Sequence, residues 1–121
     1  MLGYVTLGTN NYDKALAFYD GLLAELGGKR LFNSDRIQFY GNGQSAMLAI
    51  CKPYDGKAST SGNGTMVALS APSKEIVDKV HAKALSLGAV DEGAPGQRLP
   101  TFYGAYFRDA DGNKLCVFKM G

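Results

Sequence analysis

Apolar residues recur along this chain with two different periods, and the period switches in the same order twice. Tyr4-Val-Thr-Leu-Gly-Thr9 is β-branched and aromatic, the composition of a strand, and Asn10-Asn11 behind it suits a helix cap that accepts from free N–H groups. From Tyr12 to about Leu26 the residues Leu16, Phe18, Tyr19, Leu22, Leu23 and Leu26 return every three or four positions, which predicts a helix, and Gly27-Gly28 supplies a left-handed stop. Strands are predicted at Lys29 to Phe32, Arg36 to Tyr40 and Ala46 to Cys51, the last two joined through Gly41-Asn42-Gly43 as a hairpin.

A stretch rich in Gly, Ser and Lys, from Pro53 to Thr65, separates this from a second round. Met66 to Ala71 reads as a strand, and Ser73 as the N-cap of a helix with Glu75 in its first turn. Ile76, Val77, Val80, Ala84, Leu85 and Leu87 form that helix's apolar face, and Gly88 ends it. Three more strands are expected around Ala89 to Glu92, Phe102 to Arg108 and Lys114 to Lys119, with Asp109-Ala-Asp-Gly-Asn113 turning the final hairpin. Val67 follows Val5 by 62 positions and Gly88 follows Gly27 by 61, so strand and helix repeat nearly in step. The expected fold is α+β: two tandem βαβββ modules, module one at 1–53, a linker at 54–64 and module two at 65–121. One helix covers one face of each four-stranded sheet, and the opposite faces are expected to curve into a cupped mixed sheet that encloses a ligand cavity.

Composition narrows the function. With 121 residues the chain is long enough to bury roughly two-thirds of its unfolded surface. Its 45% hydrophobic and 20% charged residues are those of a globular protein. The 13 Lys and Arg are interspersed with 11 Asp and Glu for a net charge of +2, so no basic stripe suits nucleic acid. Apolar runs are too short for the roughly 20 residues of a membrane helix, and the start of the chain has no basic, apolar leader pattern, so a cytoplasmic location is expected. Cys51 and Cys116 lack the paired spacing of a zinc or redox motif and read as buried thiols. Gly62-Asn-Gly64 precedes a strand and lacks the Lys-Ser/Thr of a phosphate loop.

Two segments carry a resemblance. "LGYVTLGTNNYDKALAFYDGLLAELGG" and the closing "YGAYFRDADGNKLCVF" are similar to the first strand and helix and the last hairpin of the vicinal oxygen chelate superfamily, the glyoxalase, bleomycin-resistance and extradiol-dioxygenase group. The resemblance spans essentially the whole chain. It implies metal ligands, typically His or Gln and Glu, on the first and last strand of each half. Those positions fall at Tyr4, Met66 and Cys116, with Leu48 or Ala49 in the first half's last strand. A phenol, a thioether and a thiol do not make a site for a hard divalent ion, so no metal and no other cofactor are expected. The only His, His81, lies in the second helix and is expected at the surface or in helix packing, which leaves no base for a Ser-His-Asp or Cys-His arrangement. Cys116, without such a neighbour, is expected to stay protonated and line the cavity.

Strand alternation groups Tyr4 with Thr6, Gln38 with Tyr40 and Met66 with Ala68, and these sets are expected to line the cup. On the seventh strand Tyr103 shares a parity with Phe107, and Tyr106 with Arg108, and either pair suits the inside. Two loops, Lys52 to Gly56 and Gly93 to Arg98, are placed to close over it, and Arg98 or Lys52 would give an anionic ligand a cation. The ligand-binding set is therefore Tyr4, Thr6, Gln38, Tyr40, Met66, Arg98, Tyr103 and Cys116. The function implied is a metal-free protein that binds a small, partly apolar molecule between its modules, in the manner of bleomycin-resistance proteins, as a homodimer with no nucleic acid or membrane partner. The alternative is a metal-dependent glyoxalase-like lyase or isomerase whose ligands come from other positions.

Overall fold

Asn11 and Ser73 begin the two helices. The Asn11 side chain accepts from Lys14 N at 3.3 Å and the Ser73 hydroxyl accepts from Ile76 N at 3.2 Å. The computed structural model describes residues 1–121 and divides them into two compact units, Met1–Ser61 and Gly62–Gly121.

In the first unit β1 (Tyr4–Gly8) leads into α1 (Tyr12–Ala24), then β2 (Lys29–Asn33), β3 (Ile37–Gly41) and β4 (Met47–Cys51). Gly27 stops the helix at φ +74°, with Gly28 N donating to Leu23 O at 2.8 Å and Gly27 N to Ala24 O at 3.1 Å. The four strands form one sheet in the order β1-β4-β3-β2, parallel between β1 and β4 and antiparallel elsewhere. Leu16, Tyr19, Leu22 and Leu23 of α1 bury against one face, where Leu7, Leu48, Ile50 and Tyr40 are also buried. The chain after β4 returns to this unit: Ser59 N donates to Asn10 Oδ1 at 2.6 Å, and Asn10 Nδ2 to Ser59 O at 3.3 Å. Gly8 makes room for that return, because a Cβ there would stand 2.6 Å from Ser59 Oγ.

The second unit repeats the order: β5 (Val67–Ser70), α2 (Lys74–Ser86), β6 (Val90–Leu99), β7 (Phe102–Arg108) and β8 (Lys114–Met120), with a sheet ordered β5-β8-β7-β6. The fold is α+β, two modules of strand, helix and three strands in tandem, as the repeated pattern predicted. Two details differ. Gly93 to Arg98, expected as a loop, belongs to β6, a ten-residue strand that bulges three times against β7 and so accommodates glycines and a proline. Leu85 and Leu87, expected on the buried face of the second helix, are exposed, while Val77, Val80, His81 and Ala84 are buried at the spacing of one helical stripe. His81 is thus a packing residue, its ring 6.4 Å from Phe107 and its Nε2 3.0 Å from Asp91 Oδ1.

No helix is long and apolar enough to cross a membrane.

Candidate functional site

Register decides which side chains share a sheet face. In the first sheet Tyr4 pairs with Met47 and Thr6 with Ala49, and Phe39 also pairs with Ala49, so Tyr4, Thr6, Met47, Ala49 and Phe39 lie on the face away from α1. Phe39 forms the base of an aromatic cluster there, edge-on to Tyr4 at 4.9 Å and tilted against Phe32 at 4.6 Å. Tyr4 is 53% exposed and Phe32 60%.

Gln38 and Tyr40 share a face, as alternation requires, but it is the opposite one. Tyr40 reaches under α1, donating to Asp20 Oδ1 at 2.9 Å and to Leu16 O at 3.2 Å. Gln38 is buried opposite Ile50, and its Nε2 donates to Phe39 O and Phe32 O. Neither belongs with Tyr4 and Thr6. Parity pairs residues along a strand but leaves open which pair the helix covers.

The second sheet resolves the parity of β7 in the same way. Tyr106 pairs with Cys116 and Cys116 with Ala68, whereas Tyr103 pairs with Lys119 and Phe107 with Leu115. The Tyr103 hydroxyl donates to Asp78 of α2 at 2.7 Å and Lys74 Nζ stands 5.5 Å from its ring, so Tyr103 belongs to the helix side and not to the expected ligand set. The face away from α2 carries Ala68, Ser70, Cys116, Phe118, Phe102 and Tyr106. Met66, just before β5 and exposed, continues the alternation of Ala68 and Ser70 onto that face. Phe102 and Phe118 stack with centroids 5.3 Å apart and planes 12° from parallel. Gly104 permits this, since a Cβ there would lie 2.7 Å from Phe102 Cε2.

Arg98 also reaches this face. Its guanidinium carbon lies 5.5 Å from the Tyr106 ring centroid, and Lys114 Nζ lies 5.5 Å from the same centroid. Two glycines of β6 give the guanidinium its place: a Cβ on Gly96 would be 2.7 Å from Arg98 Nη1, and one on Gly93 would be 3.1 Å from Tyr106 Cδ2 and 3.3 Å from Arg98 Nη2. Arg98 is further held by donation to Ala94 O. Beneath Tyr106, Cys116 is fully buried and not a lining surface. Burial pushes its thiol pKa up, against the opposing pull of the Tyr106 hydroxyl and of Arg98 and Lys114. The net direction keeps the thiol protonated, an inert group at this site.

Sequence alternation leaves Tyr106 as one of two candidates for the inside of the seventh strand and does not point to Lys114. The β7–β8 pairing puts both on this face, with Tyr106 opposite Cys116 and Arg108 opposite Lys114 across the ladder. Lys52 is placed elsewhere, its Nζ 5.3 Å from the Tyr12 ring centroid.

The positions that the resemblance maps onto metal ligands hold a phenol at Tyr4, a thioether at Met66, a buried thiol at Cys116 and a methyl at Ala49, because Leu48 turns toward α1. No three His, Cys, Asp or Glu side chains are grouped to hold an ion. This donor chemistry does not fit a hard divalent cation. The Asp109-Ala-Asp-Gly-Asn113 turn does not supply one either, since Asp109 Oδ1 accepts from Asp111 N and Asn113 N at 2.9 Å each and its Oδ2 accepts from Asn113 Nδ2 at 3.0 Å.

Comparison with solved structures places this architecture among known ones. A glyoxalase/bleomycin resistance protein from Albidiferax ferrireducens T118 is 34% identical and superposes with a TM-score of 0.93 over 100% of this chain and 99% of its own. A glyoxalase/bleomycin resistance protein/dioxygenase family enzyme from Burkholderia phytofirmans PsJN is 20% identical, with a TM-score of 0.81 over 98% of both chains. The lactoylglutathione lyase of Agrobacterium tumefaciens, 21% identical with a TM-score of 0.71 over 98% of this chain and 92% of its own, shares the fold. No protein with a curated description matches the sequence. Residues 1–117 match the family described as Glyoxalase/Bleomycin resistance protein/Dioxygenase superfamily, and this chain belongs to it.

Proposed function

We propose that this chain is a metal-independent member of its superfamily that binds a small, partly apolar molecule and performs no metal-dependent chemistry on it. The observation that carries this reading is the face of the second sheet away from α2. There, Tyr106 pairs with the buried Cys116, which stands where the resemblance puts a ligand carboxylate, and the stacked Phe102 and Phe118 add aromatic surface farther along the same face. An apolar floor with few polar groups is what small-molecule sites generally offer. The reading includes a symmetric homodimer and a cytoplasmic location.

Elemental analysis and thermal unfolding test it together. The purified protein is expected to carry no stoichiometric divalent metal, and no turnover of glyoxalase-type substrates is expected on adding nickel, zinc, manganese or iron. A true ligand at a hundredfold excess over its dissociation constant should add about 2.7 kcal/mol of stability. Stoichiometric metal, or activity restored by one, overturns the proposal in favour of a metal-dependent lyase. A broad library of small molecules without a single stabilising hit overturns ligand binding itself.

A further inference from the structure

Arg98 and Lys114 approach the same ring, and neither has an acidic partner: Arg98 donates only to the Ala94 carbonyl, and Glu92 of the same strand is taken by Arg108 at 3.0 Å. A salt-bridged cation is already neutralised, whereas an acid-free pair on a partly exposed sheet face leaves positive potential beside an aromatic surface. The stacked Phe102–Phe118 pair lies on the same face, Phe118 two residues along β8 from Cys116, about 7 Å at the ordinary strand rise. The apolar rings and the two cations thus share one face, with Phe118 about one strand repeat from Cys116, the residue that pairs with Tyr106.

We propose that the face of the second sheet away from α2 binds a small aromatic anion, its ring against Phe102 and Phe118 and its carboxylate or phosphate between Arg98 and Lys114. The inference rests on the small-molecule reading above and specifies the ligand's charge. Arg98 spends Nη2 on Ala94 O and keeps Nε and Nη1 as donors, which match either oxyanion because both present paired oxygens to a planar fork. Gly93 and Gly96 make Arg98 part of a built site, since any larger residue there would meet the guanidinium in its present position.

Isothermal titration with benzoate, phenyl phosphate and the neutral benzyl alcohol tests this, with Tyr106 ring resonances followed by NMR to locate binding; the chain has no Trp to serve as a reporter. At least one anion is expected to bind about fivefold or more tighter than benzyl alcohol, with an affinity that falls as salt is raised. The benzoate and phenyl phosphate arms separate a carboxylate site from a phosphate site. Arg98→Gln and Lys114→Gln should each remove much of the preference, and the double variant all of it, while Arg98→Lys, which keeps the charge and loses the fork, keeps only part. Far-UV circular dichroism identifies any variant that fails to fold. An anion preference that survives in the folded double variant overturns the proposal. So does equal binding of benzyl alcohol and the anions, which leaves the small-molecule reading standing. No measurable binding of any probe at about 10 mM also overturns it, and the broad library then decides whether the small-molecule reading falls with it.

Discussion

The Tyr40 hydroxyl donates to Asp20 Oδ1 at 2.9 Å and so pins the third strand to the first helix. Asp20 also receives Arg30 Nε and Nη2, each at 2.9 Å, so one carboxylate joins helix α1 to strands β2 and β3. Burial and the adjacent carboxylate hold the Tyr40 pKa far above its ordinary value, and it stays a neutral donor. Tyr40→Phe removes the hydroxyl shared between Asp20 Oδ1 and Leu16 O and should cost about 1–2 kcal/mol. Urea unfolding measures that cost. Titration with any ligand that binds the wild-type protein should give an unchanged affinity, because Tyr40 lies under α1; a lost affinity would return Tyr40 to the ligand set.

Acid should weaken the protein through the same carboxylate. The Arg30 guanidinium holds the Asp20 pKa below its ordinary value, with help from Tyr40 and against the effect of burial. A depressed folded-state pKa contributes stability above the unfolded value of about 3.9, and that contribution is lost as pH falls through the folded value. Asp20 and Arg30 are 42% and 50% exposed, so solvent screening limits the contribution to roughly 0.5–1 kcal/mol. Urea midpoints between pH 6 and pH 2.5 should therefore fall less steeply for Asp20→Asn than for the wild type. Identical slopes would show that the pair contributes nothing.

Both thiols should be hidden from reagents. Cys51 and Cys116 are free and buried, and the raised pKa of Cys116 lowers its thiolate fraction further. Ellman's reagent at pH 8 is expected to modify the native protein at least about a hundredfold more slowly than the protein in urea. A rapidly reacting native Cys116 would contradict its burial beneath Tyr106.

The closing hairpin depends on one buried side chain. Asp109 accepts from two backbone N–H groups and from the Asn113 amide, around Gly112 at φ +84°. Asp109→Ala strands those donors and should cost about 2–3 kcal/mol. Asp109→Asn keeps an acceptor oxygen and should cost less. Thermal melts of the two variants check the order; equal losses would locate the cost in charge and not in turn geometry.

Much of this protein was legible in its sequence because local chemistry decided it. The caps at Asn11 and Ser73, the stops at Gly27 and Gly88 and the β7 span from Phe102 to Arg108 each follow from what a few neighbouring residues can do with their own backbone. The repeat showed two modules because each sheet needs one helix to cover it. Tertiary structure alone decided which face of each strand the helix takes. Alternation joins Gln38 to Tyr40 and Tyr106 to Arg108, but only the register opposite β4 and β8 sends Tyr40 and Tyr103 beneath the helices and leaves Tyr106 beside Arg98 and Lys114. A strand's two faces are equivalent along the chain, and they become different only when a helix packs on one of them.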